Sequence, residues 1–67
     1  MSYSKGESVA YRLNGEWHPA TIEEVAPATP WTTTKWDYLL RLPFGIDGED
    51  GVYASRKDVY PEKAIPR

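Results

Sequence analysis

The chain has no cysteine, one histidine, one methionine and one phenylalanine, and each scarcity closes a route. Without cysteine no disulfide can staple a small fold, and a lone histidine cannot supply the four N, S or O ligands of a structural zinc site. No stretch approaches the roughly 20 apolar residues of a membrane span, and "MSYSKGESVA" lacks the apolar run of a secretory leader. The expectation is a soluble, cytoplasmic protein with no membrane partner, no metal and no cofactor. A basic excess is missing as well. The formal charge is −2 and the isoelectric point about 5.2, which disfavours nucleic acid as a general partner, because phosphate binding needs a cationic face.

What the chain does have is aromatic residues, three tryptophans and five tyrosines in 67 positions. This length makes one domain, residues 1–67, with an ordered core expected over about 5–62. A chain so short hides only about 60% of its unfolded surface, so stability must come from aromatic packing in a compact sheet or from self-association. Charge is unevenly spread. From Asn14 to Asp50 there are two basic residues (Lys35, Arg41) against seven acidic ones. From Ala54 to Arg67 there are four basic residues against two acidic ones. The C-terminal excess reads either as a local basic patch or as a solvated rim.

No segment carries a helical period of apolar positions. Short runs rich in Val, Ile, Tyr, Trp and Thr are punctuated by Gly, Pro and Asn-Gly, which is the pattern of strands and tight turns. Val9, Tyr11 and Leu13 share one face of a first strand, since side chains alternate with period two. Asn14-Gly15 then predicts a two-residue hairpin turn, because both residues tolerate positive φ. The return strand runs from Glu16 to about Val25 and puts Ala20 and Ile22 on one face with His18. "APATPWTTTKW" reads as a long connection, with Thr32–Thr34 able to extend a strand. "WDYLLRL" reads as a third strand buried on both faces. "PFGIDGEDG" reads as a loop, "GVYAS" as a fourth strand, and "RKDVYPE" as a 3-10 turn leading to a fifth strand near Lys63–Ile65. The fold class expected is all-β, a five-stranded closed or nearly closed barrel, which would remove unpaired edges. Val9, Tyr11, Ala20, Ile22, Tyr38, Leu40 (or Leu39), Leu42, Val52 and Ala54 are the expected core.

With strands so placed, the chain resembles an SH3-like small β-barrel, and among these a Tudor domain. The likeness spans residues 5–61 and rests on "KGESVAY", "GEWHPATIEEV", "YLLRLPFG" and "GVYASRKDVYP" in that order. It implies binding without catalysis. Many Tudor domains hold a methylated arginine or lysine in a cage of aromatic rings, through cation–π attraction of about 0.5–2 kcal/mol per ring. Carried over, His18 stands where a cage tyrosine of the return strand falls, and Phe44 where the turn aromatic falls. The first-strand ring falls at Tyr11 or Leu13, and Arg41 occupies the third-strand position, a cation in place of a ring. Type II dihydrofolate reductases share the "Gly…Trp…Ile…Val" opening, but their Val-Gln-Ile-Tyr strand is replaced by "GVYAS".

His18 lies between Trp17 and Pro19 with no partner at a telling position to orient it as a base, so a surface-shaping or packing role is the simpler one. Trp31 and Trp36 flank "TTTK" in the Pro-rich connection, either as binding anchors or as caps on the core. Asp47, Glu49 and Asp50 lack the ligand spacing of a calcium loop and read as a solvated acidic turn. The expected function is a non-enzymatic module that binds a protein or peptide, arginine-containing or methylated among the candidates, through Tyr11, His18, Phe44, Arg41, Trp31 and Trp36. Two alternatives stand beside it. One is single-stranded nucleic acid stacked on Tyr53 and Tyr60 beside Arg56 and Lys57. The other is an oligomeric barrel with its site at an interface, so the chain is expected as a monomer or a small homo-oligomer.

Overall fold

The computed structural model describes residues 3–46 and 48–66. Asp47 of the acidic turn and the outermost residues of the expected domain lie outside that range. Five antiparallel strands form one sheet in the order β4-β3-β2-β1-β5, with β1 Ser8–Leu13, β2 Glu16–Val25, β3 Tyr38–Ile46, β4 Glu49–Ala54 and β5 Val59–Pro61. Two 3-10 turns, Arg56–Asp58 and Glu62–Ala64, follow β4 and β5, and no α-helix occurs among the described residues. Among the described residues no helix is long and apolar enough to cross a membrane.

The hairpin forms as its residues dictate. Asn14 and Gly15 take φ of +50° and +80°, the left-handed pair of a type I′ turn, whose twist suits the flanking strands. That turn sets Leu13 opposite Glu16, Tyr11 opposite His18 and Val9 opposite Ala20. Residues directly opposed across antiparallel strands share a face, so Val9, Tyr11 and Ala20 enter one core with Ile22, Tyr38, Leu40, Leu42, Ala54 and Val59. Tyr3 closes one side of it. Its ring meets Tyr38 edge-on at 5.8 Å and its backbone N–H donates to the Tyr38 hydroxyl at 3.3 Å. The arm behind Tyr3 is tied to β2, where Gly6 N–H donates to the Ile22 carbonyl and Ile22 N–H to that of Glu7.

Several expectations are corrected. β3 is buried on one face only: Tyr38, Leu40 and Leu42 alternate inward, while Leu39 is half-buried and Arg41 exposed. "PFGIDGEDG" is largely strand. A register shift between Arg41 and Ile46, with Gly45 at φ +68°, absorbs the irregularity, and the ladder resumes at Ile46 opposite Glu49. The fifth strand is Val59–Pro61, earlier than Lys63–Ile65, because Val59 must stand opposite Tyr11 to be buried. Thr32–Thr34 do not extend a strand. Thr34 N–H instead donates to the Thr32 hydroxyl at 3.1 Å, a local turn bond of the kind that competes with sheet pairing. Val52 packs against the core half-buried. The sheet is not closed, and β4 and β5 are its edges.

Ala10 is fully buried yet stands outside the core cluster. It alternates outward, between Pro19 and Tyr60, where Trp17 and Tyr60 meet edge to face at 5.1 Å. The Arg12 guanidinium lies 4.6 Å over the Trp17 ring. These side chains give the outer face of β5, β1 and β2 a thin hydrophobic layer of its own.

Burial pushes the Tyr3 phenol up, helped by Tyr38 and then Glu7, and burial followed by Asp58 raises that of Tyr11. Both groups therefore hold their protons more tightly folded than unfolded. Their contribution to stability is complete below the unfolded value of about 10 and disappears as pH climbs through the raised folded values. Urea unfolding followed across alkaline pH should show stability falling beyond about pH 10. Combining Tyr3→Phe with Tyr11→Phe should flatten that fall.

Candidate functional site

Residues 26–37, the connection between β2 and β3, fold back over the outer face of β3 and β4. Ala26 enters with φ +50°, a left-handed conformation that costs a residue with a Cβ about 1–2 kcal/mol, and must be held there by its surroundings. The surroundings converge on Asp37. Ala26 N–H donates to the Asp37 carbonyl at 2.9 Å, closing the loop. Asp37 N–H donates to the Ala54 carbonyl at 3.2 Å, and the Asp37 carboxylate accepts the Arg56 N–H at 2.7 Å. One residue thus ties the loop to the end of β4 and to the 3-10 turn behind it. Within the loop, the Thr29 hydroxyl donates to the Thr34 carbonyl at 3.2 Å.

So anchored, the loop does two things. It encloses a groove of about 660 Å³, lined among others by Pro27, Pro30, Thr32, Thr34, Lys35 and Trp36. It also brings its tryptophans to β4, where Trp31 meets Tyr53 edge-on at 5.7 Å and Trp36 leans over the same ring at 6.5 Å. Tyr53 stands opposite Leu39, and Leu39 opposite Glu24, so one row of the outer face runs from a carboxylate through an aliphatic side chain to three rings. Trp31 remains 67% exposed.

The next row holds Thr21, Arg41 and Gly51. Arg41 forms an ion pair with Glu23 and has Asp50 3.9 Å away, and the hydrogen bond to Glu23 holds its guanidinium more firmly protonated still. Its charge is matched by two carboxylates, leaving this part of the face acidic with Glu24 beside it.

Of the residues expected at the barrel end, Tyr11 and His18 stand opposite each other but do not form an open aromatic cage. Tyr11 is buried in the core and His18 half-buried opposite it. None of the side-chain hydrogen bonds among the described residues involves His18. Phe44 is 85% exposed and joins none of the ring pairs among the described residues. Arg41 faces outward with Glu23, away from Tyr11. Trp31 and Trp36 do come together, on Tyr53. Tyr53 and Tyr60, the stacking pair of the nucleic-acid alternative, belong to separate clusters, while the Arg56 N–H is taken by Asp37 and Lys57 is exposed in the 3-10 turn. Among the described residues no group of three or more His, Cys, Asp or Glu is placed to hold a metal. Sequence reasoning passed over Asp37 and offered Leu39 only as an alternative to Leu40 in the core. An aspartate at the mouth of a Pro-rich loop is a turn signal, but its three partners become visible only in three dimensions. The chain matches no protein-family model, no curated protein and no solved structure.

Asp37→Ala removes the acceptor of the Arg56 N–H and should cost about 1–2 kcal/mol in urea unfolding. Asp37→Asn keeps an acceptor oxygen and should lose less than half of that.

Proposed function

We propose that this chain is a non-enzymatic binding module, a Tudor-like member of the SH3-like barrels, that takes a peptide bearing a cationic side chain on the outer face of β3 and β4. The strand order, with a 3-10 turn between β4 and β5, supports the fold reading. The observation that carries the functional reading is Trp31, a large ring two-thirds exposed, standing on Tyr53 beside Trp36 at the rim of the loop groove. An exposed tryptophan supported from below presents rigid apolar area at little entropic cost, and its π face attracts a cation.

The electrostatics point the same way. Glu24 lies two strands from Tyr53 in the same row, roughly 10 Å at the usual strand spacing. Glu23 and Asp50 flank Arg41 in the next row. An arginine or lysine over the rings would sit in a field of carboxylates, and a methylated one would lose less hydration on entering. The groove lined by Pro27, Pro30 and Trp36 is a concave surface for the neighbouring ligand residues. The reading moves the recognition surface away from the end of the sheet at Tyr11, His18 and Phe44, and keeps Trp31 and Trp36 as its anchors.

Chemical-shift titration with short peptides bearing arginine, methylarginine, lysine or no cation tests it. Shifts should centre on Trp31, Trp36 and Tyr53. Trp31→Ala should weaken binding about tenfold or more while changing stability by less than about 0.5 kcal/mol, as expected of an exposed anchor. Shifts centred on Tyr11, His18 and Phe44, or affinity indifferent to Trp31, would refute the placement.

A further inference from the structure

The two edges of the open sheet are built differently. β5 is three residues long and ends in Pro61, which has no N–H to offer a neighbour. Short length and proline are the usual means of keeping an edge from pairing. β4 is six residues, Glu49–Ala54, without proline or lysine, and it is hydrogen-bonded on one side only, to β3. Ser55 continues in extended conformation at φ −84°, ψ 151°, before the 3-10 turn begins. The edge open to a further strand therefore runs from Glu49 through Ser55.

Its sequence is complementary to its own reverse. In "EDGVYASRK", residues 49–57, two acids stand at one end and two bases at the other. Laid antiparallel on a second copy with Tyr53 opposite Tyr53, Val52 faces Ala54 and Gly51 faces Ser55, small against small. Asp50 and Glu49 then lie toward the other copy's 3-10 turn, which opens with Arg56 and Lys57. Neither ion pair among the described residues uses Glu49, Arg56 or Lys57, while Asp50 stands 3.9 Å from Arg41 with its side chain 80% exposed. Every alternative occupant must meet two carboxylates and two cations in that order, and a second copy does so by construction.

We propose that the β4 edge is where two copies of this chain pair, antiparallel and centred on Tyr53, so that the sheet continues across a two-fold axis. The axis stands perpendicular to the sheet, so both outer faces lie on the same side. The two Trp31–Tyr53–Trp36 clusters then lie on the same side of the joined sheet, and a small domain without disulfides gains buried surface along its open edge. The inference is independent of the peptide reading, since it concerns the free protein.

Sedimentation equilibrium over a dilution series from about 1 mM downward tests it without any ligand. The expected mass at high concentration is twice the 7.6 kDa of the chain, dissociating on dilution. Association should weaken as salt rises from about 0.1 to 1 M, which shortens the Debye length from about 10 to 3 Å. One variant carries Glu49→Lys with Asp50→Lys, the other Arg56→Glu with Lys57→Glu. Each should be monomeric alone, with association weakened about tenfold or more, and an equimolar mixture should regain the dimer because opposite charges again lie toward each other. Circular dichroism confirms that each variant folds. Asp50→Lys alone, at a side chain 80% exposed, serves if either double variant does not. A monomer at every concentration overturns the proposal. So does a dimer that both charge variants leave intact, which would place the contact elsewhere.

Discussion

A single sheet without helices has one core, and a chain of 67 residues has only enough side chains to fill it from one face. Everything else in the structure follows from what becomes of the other face. Val9, Tyr11, Ala20, Ile22, Tyr38, Leu40, Leu42, Ala54 and Val59 fill the interior, with Tyr3 closing one side. Of the nine aromatic residues only Tyr3, Tyr11 and Tyr38 enter the core, so six stand elsewhere. Apart from Phe44, which is 85% exposed, the outward aromatics gather into two stacks. Trp17 and Tyr60 cover Ala10 on β5, β1 and β2, and the β2–β3 loop brings Trp31 and Trp36 to Tyr53 on β3 and β4. The first stack is finished by Arg12 over Trp17. The second is left open to solvent at Trp31, and the proposed recognition of a ligand rests on that asymmetry.

The loop that completes the second stack is not free to wander. Asp37 accepts from Ala26, donates to Ala54 and accepts again from Arg56, so the loop ends are clamped to the strand that carries Tyr53. The strain at Ala26 is tolerated because this clamp over-determines the turn. The same clamp ties Ala54, the last residue of β4, to the loop, beside the edge that runs from Glu49 to Ser55. The exposed aromatic stack and the free edge thus both adjoin one anchored segment.

Much of the fold was legible in the residues. Asn14-Gly15 fixed the first hairpin, and a two-residue turn leaves no freedom in register, so the opposition of Tyr11 to His18 could be counted out along the strands. Alternation then identified most of the core. It failed where tertiary context overrode local signal. Gly45 and Pro43 looked like a loop but lie in β3, because the register shift lets an irregular segment stay paired. Leu39 looked like core and instead underlies the outer aromatics. The sheet is open, with the three-residue β5 and β4 at its edges. The site was legible in composition, as tryptophans in a Pro-rich loop, but not in partner. Tyr53 stands 22 residues after Trp31, and only the backfolding of the loop unites them.

The central claim is that the second aromatic stack lies outside the core, with Trp31 resting on Tyr53 and open to water. Nuclear Overhauser contacts of the assigned Trp31 indole, recorded with and without a soluble paramagnetic probe, test it most directly. The account predicts cross-peaks from Trp31 to the Tyr53 ring, strong broadening of Trp31 by the probe, and little broadening of Leu40 and Leu42. Cross-peaks from Trp31 to the Leu40 or Leu42 methyl groups, with its indole protected from the probe, would contradict it.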